Sequence, residues 1–250
     1  MKKLLIYTLL FASATCFGQK KYKTVKRTLS LNHKEVYSFE KKSKQKDGFY
    51  YILNVNTRDT LVYGTYANDA QTGVWKYQRK NGAPYFEYDF DNKVLCNFFR
   101  NETEDSTYIK KGKEFVLDKV DNPQLYMGFE NEAIVQLATS VKLPFDIVKS
   151  GQSGVCLYSM VIDKNGELAN IEVEQTISKE FDEMVIKQLK NLDNKWIAAV
   201  KDGRTIESKI LLVINIGNNY SPANESDTTP YLWQLVMSYY SEVRVSQNQI

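Results

Sequence analysis

Side chains that could do covalent or metal chemistry are few and scattered in this 250-residue chain. It has one histidine, His33, inside a basic segment, so histidine-rich zinc or iron sites are excluded and a serine or cysteine triad would hang on that residue alone. Gly151-Gln152-Ser153-Gly154 looks like a nucleophile elbow, but its second glycine comes one position early for G-x-S-x-G, and it reads better as a flexible approach to a strand. No P-loop, dinucleotide fingerprint or calcium loop occurs. Carboxylates are plentiful and unpatterned, which leaves a two-carboxylate hydrolase formally open. The reading is of a non-enzyme, with no catalytic residues, no cofactor, no metal and no small-molecule substrate.

The informative residues are structural, and most lie between 143 and 216. After Leu143-Pro144, Gly154 opens a run in which Cys156, Tyr158, Met160 and Ile162 share one face of a period-two strand. Lys164-Asn165-Gly166 supplies the positive φ of a tight hairpin, and residues 168 to 175 alternate as a second strand. From Lys179 the spacing changes: Phe181, Val185, Ile186, Leu189 and Leu192 form a helical stripe, with Ser178 as its cap. Trp196 follows. A closing strand from Ile206 to Ile216 places Ile206, Ile210, Leu212, Ile214 and Ile216 on one side. An earlier helix is expected over Asn131 to Val141, ended by the approach of Pro144.

In that order Leu143-Pro144, Gly154, Gly166 and Trp196 make residues 128 to 217 resemble the C-terminal domain of TonB, the periplasmic end of the machine that energises outer-membrane transporters. Two departures stand out: the aromatic usual before Pro144 is absent, and Ala198-Ala199-Val200 replaces the Pro-Gly usual after the tryptophan. The expected fold is α+β, with an antiparallel three-stranded sheet and two helices on one face.

Residues 48 to 92 repeat with a period near 24 or 25. Gly48-Phe49-Tyr50-Tyr51 recurs as Gly73-Val74-Trp75-Lys76-Tyr77, followed by the turn Asn81-Gly82 and a second aromatic strand. These units resemble MORN-type repeats, with Gly73, Trp75 and Gly82 at the motif positions. A unit so small cannot bury its own face, so an antiparallel β-meander is expected, flanked by hairpins at Leu29 to Phe39 and Tyr108 to Leu117. Its aromatics read as sheet core, a ligand platform being the alternative.

Met1-Lys2-Lys3 followed by uncharged Leu4 to Phe17 reads as a signal peptide over 1–18. The apolar run falls short of the roughly 20 residues a membrane span needs; an uncleaved inner-membrane anchor and a lipidated Cys16 are the alternatives. Cys96 and Cys156 read as two buried thiols rather than a disulfide. Between Lys20 and Lys46, nine lysines and Arg27 stand against Glu35 and Glu40, a net of +8. Such a segment could lean on an anionic envelope surface, or the lysines could be the solvated side of edge strands; nucleic acid does not fit an exported chain.

The expected organisation is a leader, a basic and repeat domain over 19–118, a TonB-like domain over 119–217, and over 218–250 a polar linker with a helix from Pro230 to Val245. Resemblance to TonB implies that a peptide or outer-membrane partner, such as the TonB-box segment of a transporter, adds beside the closing strand. As the last strand it should be an open edge, with Lys209, Leu211, Val213 and Asn215 alternating outward to tune the choice; the alternative is that the tail helix from Pro230 to Val245 folds back and covers that edge. The functional expectation is an exported, periplasmic or outer-membrane-associated interaction protein. A TonB-type energy transducer is the alternative, though five prolines are too few for the long spacer that role requires.

Overall fold

The computed structural model describes residues 20–101, 105–192, 195–217 and 232–238. The expected leader over 1–18, most of the expected linker and the part of the expected tail helix beyond 238 lie outside this set. Seven antiparallel strands open the chain and pair strictly in sequence order: β1 (Tyr22–Thr28), β2 (His33–Glu40), β3 (Lys46–Asn54), β4 (Thr60–Ala67), β5 (Ala70–Gln78), β6 (Pro84–Asp89) and β7 (Val94–Phe98). The hairpin expected at Leu29 to Phe39 is instead the turn and second strand of β1–β2. Its edge strand β1 carries much of the basic block and is exposed at nearly every position. Some of these cations are paired, Arg27 with Glu35 at 2.8 Å and Lys20 with Asp47 at 2.8 Å.

The aromatics divide by face. Tyr50, Trp75, Tyr77 and Phe86 point inward and are buried, with Trp75 only 2% exposed. Trp75 packs against Tyr50, Tyr66 and Phe90 at centroid distances of 5.1, 5.2 and 5.5 Å, and its indole N–H donates to the Thr65 carbonyl at 3.2 Å. Gly64 lies directly against the ring, and any Cβ there would run into it. Strands β3, β4 and β5 therefore meet through one indole.

The second sheet runs β12-β11-β16-β8-β9, built from β8 (Ser106–Lys111), β9 (Glu114–Lys119), β11 (Gly154–Ile162), β12 (Leu168–Gln175) and β16 (Ser208–Ile216), with β17 (Leu232–Met237) also paired to β16. The three strands expected here are the antiparallel core, but the sheet is twice as wide. The hairpin at 106–119, expected to flank the repeats, pairs Tyr108 with Lys209 and Ile109 with Ser208 across nearly a hundred residues. The tail is also corrected: residues 232–237 are a strand, not a helix. A helix would place Leu232, Leu235 and Val236 on one face, whereas the strand directs Trp233 and Leu235 together into the core.

Helices α1 (Glu130–Ser140) and α3 (Lys179–Asn191) match expectation, and the Ser178 side chain accepts from the Phe181 N–H as the cap of α3. A third helix, α2 (Phe145–Ser150), was not expected: Pro144 stands at its N-cap and Gly151, at φ 68°, ends it. Helix α3 is locked to the sheet by Asp182, which is 7% exposed and accepts from Tyr158 Oη at 2.7 Å and Thr176 Oγ1 at 2.5 Å.

Two short ladders complete the chain. β14 (Ala199–Lys201) pairs with β15 (Arg204–Ile206), so the Ala-Ala-Val departure is a small hairpin and Ile206 lies outside the closing strand. β10 (Leu125–Tyr126) pairs with β13 (Trp196–Ile197). Leu125 and Ile197 belong to the core of the first sheet, Tyr126 and Trp196 to that of the second. Period-two alternation thus makes this ladder the seam between the cores.

Candidate functional site

The closing strand β16 is where partner chemistry was expected, and its two faces differ as alternation predicts. Ile210, Leu212, Ile214 and Ile216 are buried beneath the helices, while Lys209, Leu211, Val213 and Asn215 are half-buried on the opposite face. The edge itself is not open. β11 lines one side from Ile162–Ser208 to Gly154–Ile216; on the other side β8 covers 208–209 and β17 covers 211–216 in parallel register. Every other strand pair among the described residues is antiparallel. Being last in the predicted domain did not leave β16 exposed, because a long unpaired row of N–H and C=O groups beside an apolar strand is costly and later chain was free to fill it.

The four expected residues are distinct in environment. Lys209 pairs with Glu174 of β12 at 3.0 Å and lies over the Tyr108 and Phe115 rings at 5.7 and 5.4 Å. That ammonium holds the Glu174 carboxyl below its ordinary range. Leu211, Val213 and Asn215 stand opposite Leu232, Gln234 and Val236 of β17. The Asn215 Nδ2 is buried and has no hydrogen-bond partner among the described residues.

Two of the motif residues, Gly166 and Trp196, meet at the seam. Gly166, at φ 80°, brings the hairpin tip against Trp196: the Trp196 N–H donates to the Gly166 carbonyl at 3.3 Å, and a Cβ at 166 would collide with the Trp196 carbonyl oxygen. Trp196 in turn packs on Tyr126 at 4.9 Å and Trp233 at 5.5 Å, with Tyr126 and Trp233 5.2 Å apart. Gly154 begins β11 where a Cβ would come within 2.9 Å of Ile177. In the first sheet Gly73 and Gly82 both hold positive φ, at 63° and 80°, and a Cβ at Gly82 would come within 3.0 Å of the Asp59 carboxyl. Gly166, Trp196 and the tail are thus brought together; Trp75 belongs to the other core, with Gly73 in its strand and Gly82 in the turn that follows.

Sequence reasoning missed Trp233, the ring that completes this cluster. Its signal was present: a tryptophan at the end of a polar stretch is a poor solvent residue. The Tyr158–Asp182–Thr176 network was also missed, since nothing in the spacing relates a strand tyrosine to a helix aspartate.

Beside the seam lies a cavity of about 260 Å³ between the inner face of the first sheet and residues 126–129 with α1. Glu35, 4% exposed, accepts there from Arg27 at 2.8 Å and Lys46 at 3.4 Å, and the Lys46 ammonium lies 4.6 to 5.1 Å over the Tyr37, Tyr50 and Tyr66 rings. His33 closes the same seam, with its ring edge-on to Phe129 at 4.8 Å and Ser30 Oγ 2.9 Å from Nδ1; burial pushes the imidazole below its ordinary value.

Both cysteines among the described residues are free: Cys156 is buried, with its thiol pushed up by burial, but Cys96 is exposed, against expectation, because β7 is an edge strand. Among the described residues no cluster of His, Cys, Asp and Glu could hold a metal ion, and no helix is long and apolar enough to cross a membrane.

Comparison with known proteins places one segment. Residues 140–215 match the family model described as Gram-negative bacterial TonB protein C-terminal. The span runs from the end of α1 into β16 and includes Pro144, Gly154, Gly166 and Trp196; β1 to β10 and β17 lie outside it. No curated protein and no solved structure matches the chain.

Proposed function

We propose that this chain is an exported, non-catalytic interaction protein of the cell envelope, in which a MORN-like meander is the scaffold and the TonB-like sheet binds a peptide or outer-membrane partner by strand addition along β16. The observation that carries the reading is the parallel pairing of residues 211–216 with a strand that lies outside the family match. It supports β16 as a margin suited to an added strand, where main-chain hydrogen bonds supply affinity and the alternating residues Leu211, Val213 and Asn215 supply selectivity. The basic β1 edge, facing outward, would sit against an anionic envelope surface.

Titrating isotope-labelled protein with transporter-derived TonB-box peptides tests this reading. The expected outcome is backbone amide shifts along 208–216, together with shifts at 232–237 as that strand gives way. Peptides that leave both segments unmoved remove the peptide-binding role. The mature N-terminus decides the companion proposal: intact mass should correspond to loss of residues 1–18. A chain that starts at Met1 and sediments with inner membrane would instead be a TonB-type energy transducer.

A further inference from the structure

We propose that β17 is an internal pseudo-ligand: it occupies the partner groove of β16 in cis, and it reports what a competing partner must carry, namely an extended segment in parallel register with an aromatic residue followed two positions later by an aliphatic one. The identity of the competitor rests on the strand-addition reading above; the occupancy and the pattern come from the geometry of β17 itself.

Three observations carry the inference. First, β17 forms the one parallel pair among the described strands, and fifteen residues separate it from the strand it joins. Those residues, from Gly217 to Tyr231, are rich in Asn, Ser, Thr and Asp with two prolines, a linker composition that ties a segment nearby without dictating its placement. Second, the two faces of β17 are unlike. Trp233 and Leu235 are 4% and 7% exposed, the indole seated against Tyr126 and Trp196, whereas Gln234 and Val236 face outward. The slot therefore selects an aromatic–x–aliphatic pattern, and the outward positions are free to vary.

Third, the fit is incomplete. The Trp196 and Trp233 indole N–H groups and the Asn215 side-chain nitrogen are all buried without a hydrogen-bond partner among the described residues. Donors buried without acceptors weaken the occupied state. A partner strand that brings a hydroxyl or carbonyl oxygen to Trp196 Nε1 or Asn215 Nδ2 would satisfy a donor that β17 leaves empty, and so displace it. The chain is closed by its own tail until such a segment arrives.

The test uses the full-length chain and a fluorescent peptide spanning residues 230–238. With β17 in place the groove is available only for the fraction of time the tail is released, which raises the apparent Kd in proportion. Trp233→Ala removes the tail's anchor without touching the groove. Its affinity for the peptide should exceed that of the wild-type chain at least about ten-fold by that population argument. Hydrogen exchange at amides 211–216 should quicken in the variant and slow again on adding peptide. A peptide with alanine in place of its tryptophan should bind neither chain.

Equal affinity for both chains would overturn the proposal, as would fast exchange at 211–216 that the peptide fails to slow. Leu235→Ala, a smaller deletion read by the same two measurements, serves if the tryptophan variant does not fold. Binding of the 230–238 peptide without any transporter-derived peptide binding would sink the transporter reading and leave the pseudo-ligand standing; the reverse pattern would do the opposite.

Discussion

The two sheets are assembled by opposite rules of connection. In the first, each strand pairs with the one before and after it in sequence, β1 through β7, so every contact is closed by a short turn. In the second, β16 pairs with β11, β8 and β17, and the ion pair from Lys110 to Glu207 spans 97 positions. A meander can lengthen one hairpin at a time, its pairing set by neighbouring turns. A sheet assembled from distant segments must instead choose among strands that could all fit one edge, which is where a tail such as β17 can compete.

The comparison is broken most severely at Trp75. Trp75→Ala should cost about 3 to 5 kcal/mol, the usual loss for a large buried aromatic, read as a shifted urea midpoint. A change under about 1 kcal/mol would mean that the strands do not depend on packing around the ring. In the second sheet the corresponding lock is polar. Asp182→Ala leaves the Tyr158 and Thr176 hydroxyls without their acceptor and should cost about 1 to 3 kcal/mol, with Asp182→Asn costing less because one oxygen remains. Chemical denaturation followed by circular dichroism measures both; equal losses in the two variants would show that the cost is packing rather than hydrogen bonding.

Two glycines sharpen the contrast between local and distant constraint. Gly166 and Gly112 hold similar φ values, 80° and 65°, but a Cβ at 166 meets the Trp196 backbone while one at 112 meets nothing within 4 Å. Gly112→Ala should therefore cost only about 1 kcal/mol for the left-handed backbone, and Gly166→Ala measurably more because the hairpin tip must leave the seam. Matching thermal shifts in the two variants would show that the contact between hairpin and seam contributes nothing to stability.

The smallest effect is a pH dependence at the join of the sheets. Burial against Phe129 holds His33 below its ordinary value of 6.5, so the folded chain binds its proton less readily than the unfolded chain. The contribution of His33 is complete above pH 6.5 and is lost as pH falls through that value toward the lower folded one. Lowering pH from 7.5 to 5.5 should reduce the urea midpoint of the wild-type protein, and His33→Gln should flatten the slope. An unchanged slope in the variant assigns the dependence elsewhere.

Period-two and helical spacing were enough to read, from residues alone, the buried rows Cys156–Ile162 and Ile210–Ile216, the Ser178 cap, the Gly166 turn and the inward Trp75, because each depends on neighbours within a few positions or on the solubility of its own side chain. Tertiary structure alone decided which strands fill the edge of β16, that residues 232–237 extend rather than coil, and that Leu125 and Tyr126 serve different cores. The physical reason is that an edge strand's partner is selected by free energy across the whole fold. Leu-Trp-Gln-Leu-Val-Met has apolar residues at both helical and strand spacing, and only the empty slot beside Tyr126 and Trp196 favours one over the other.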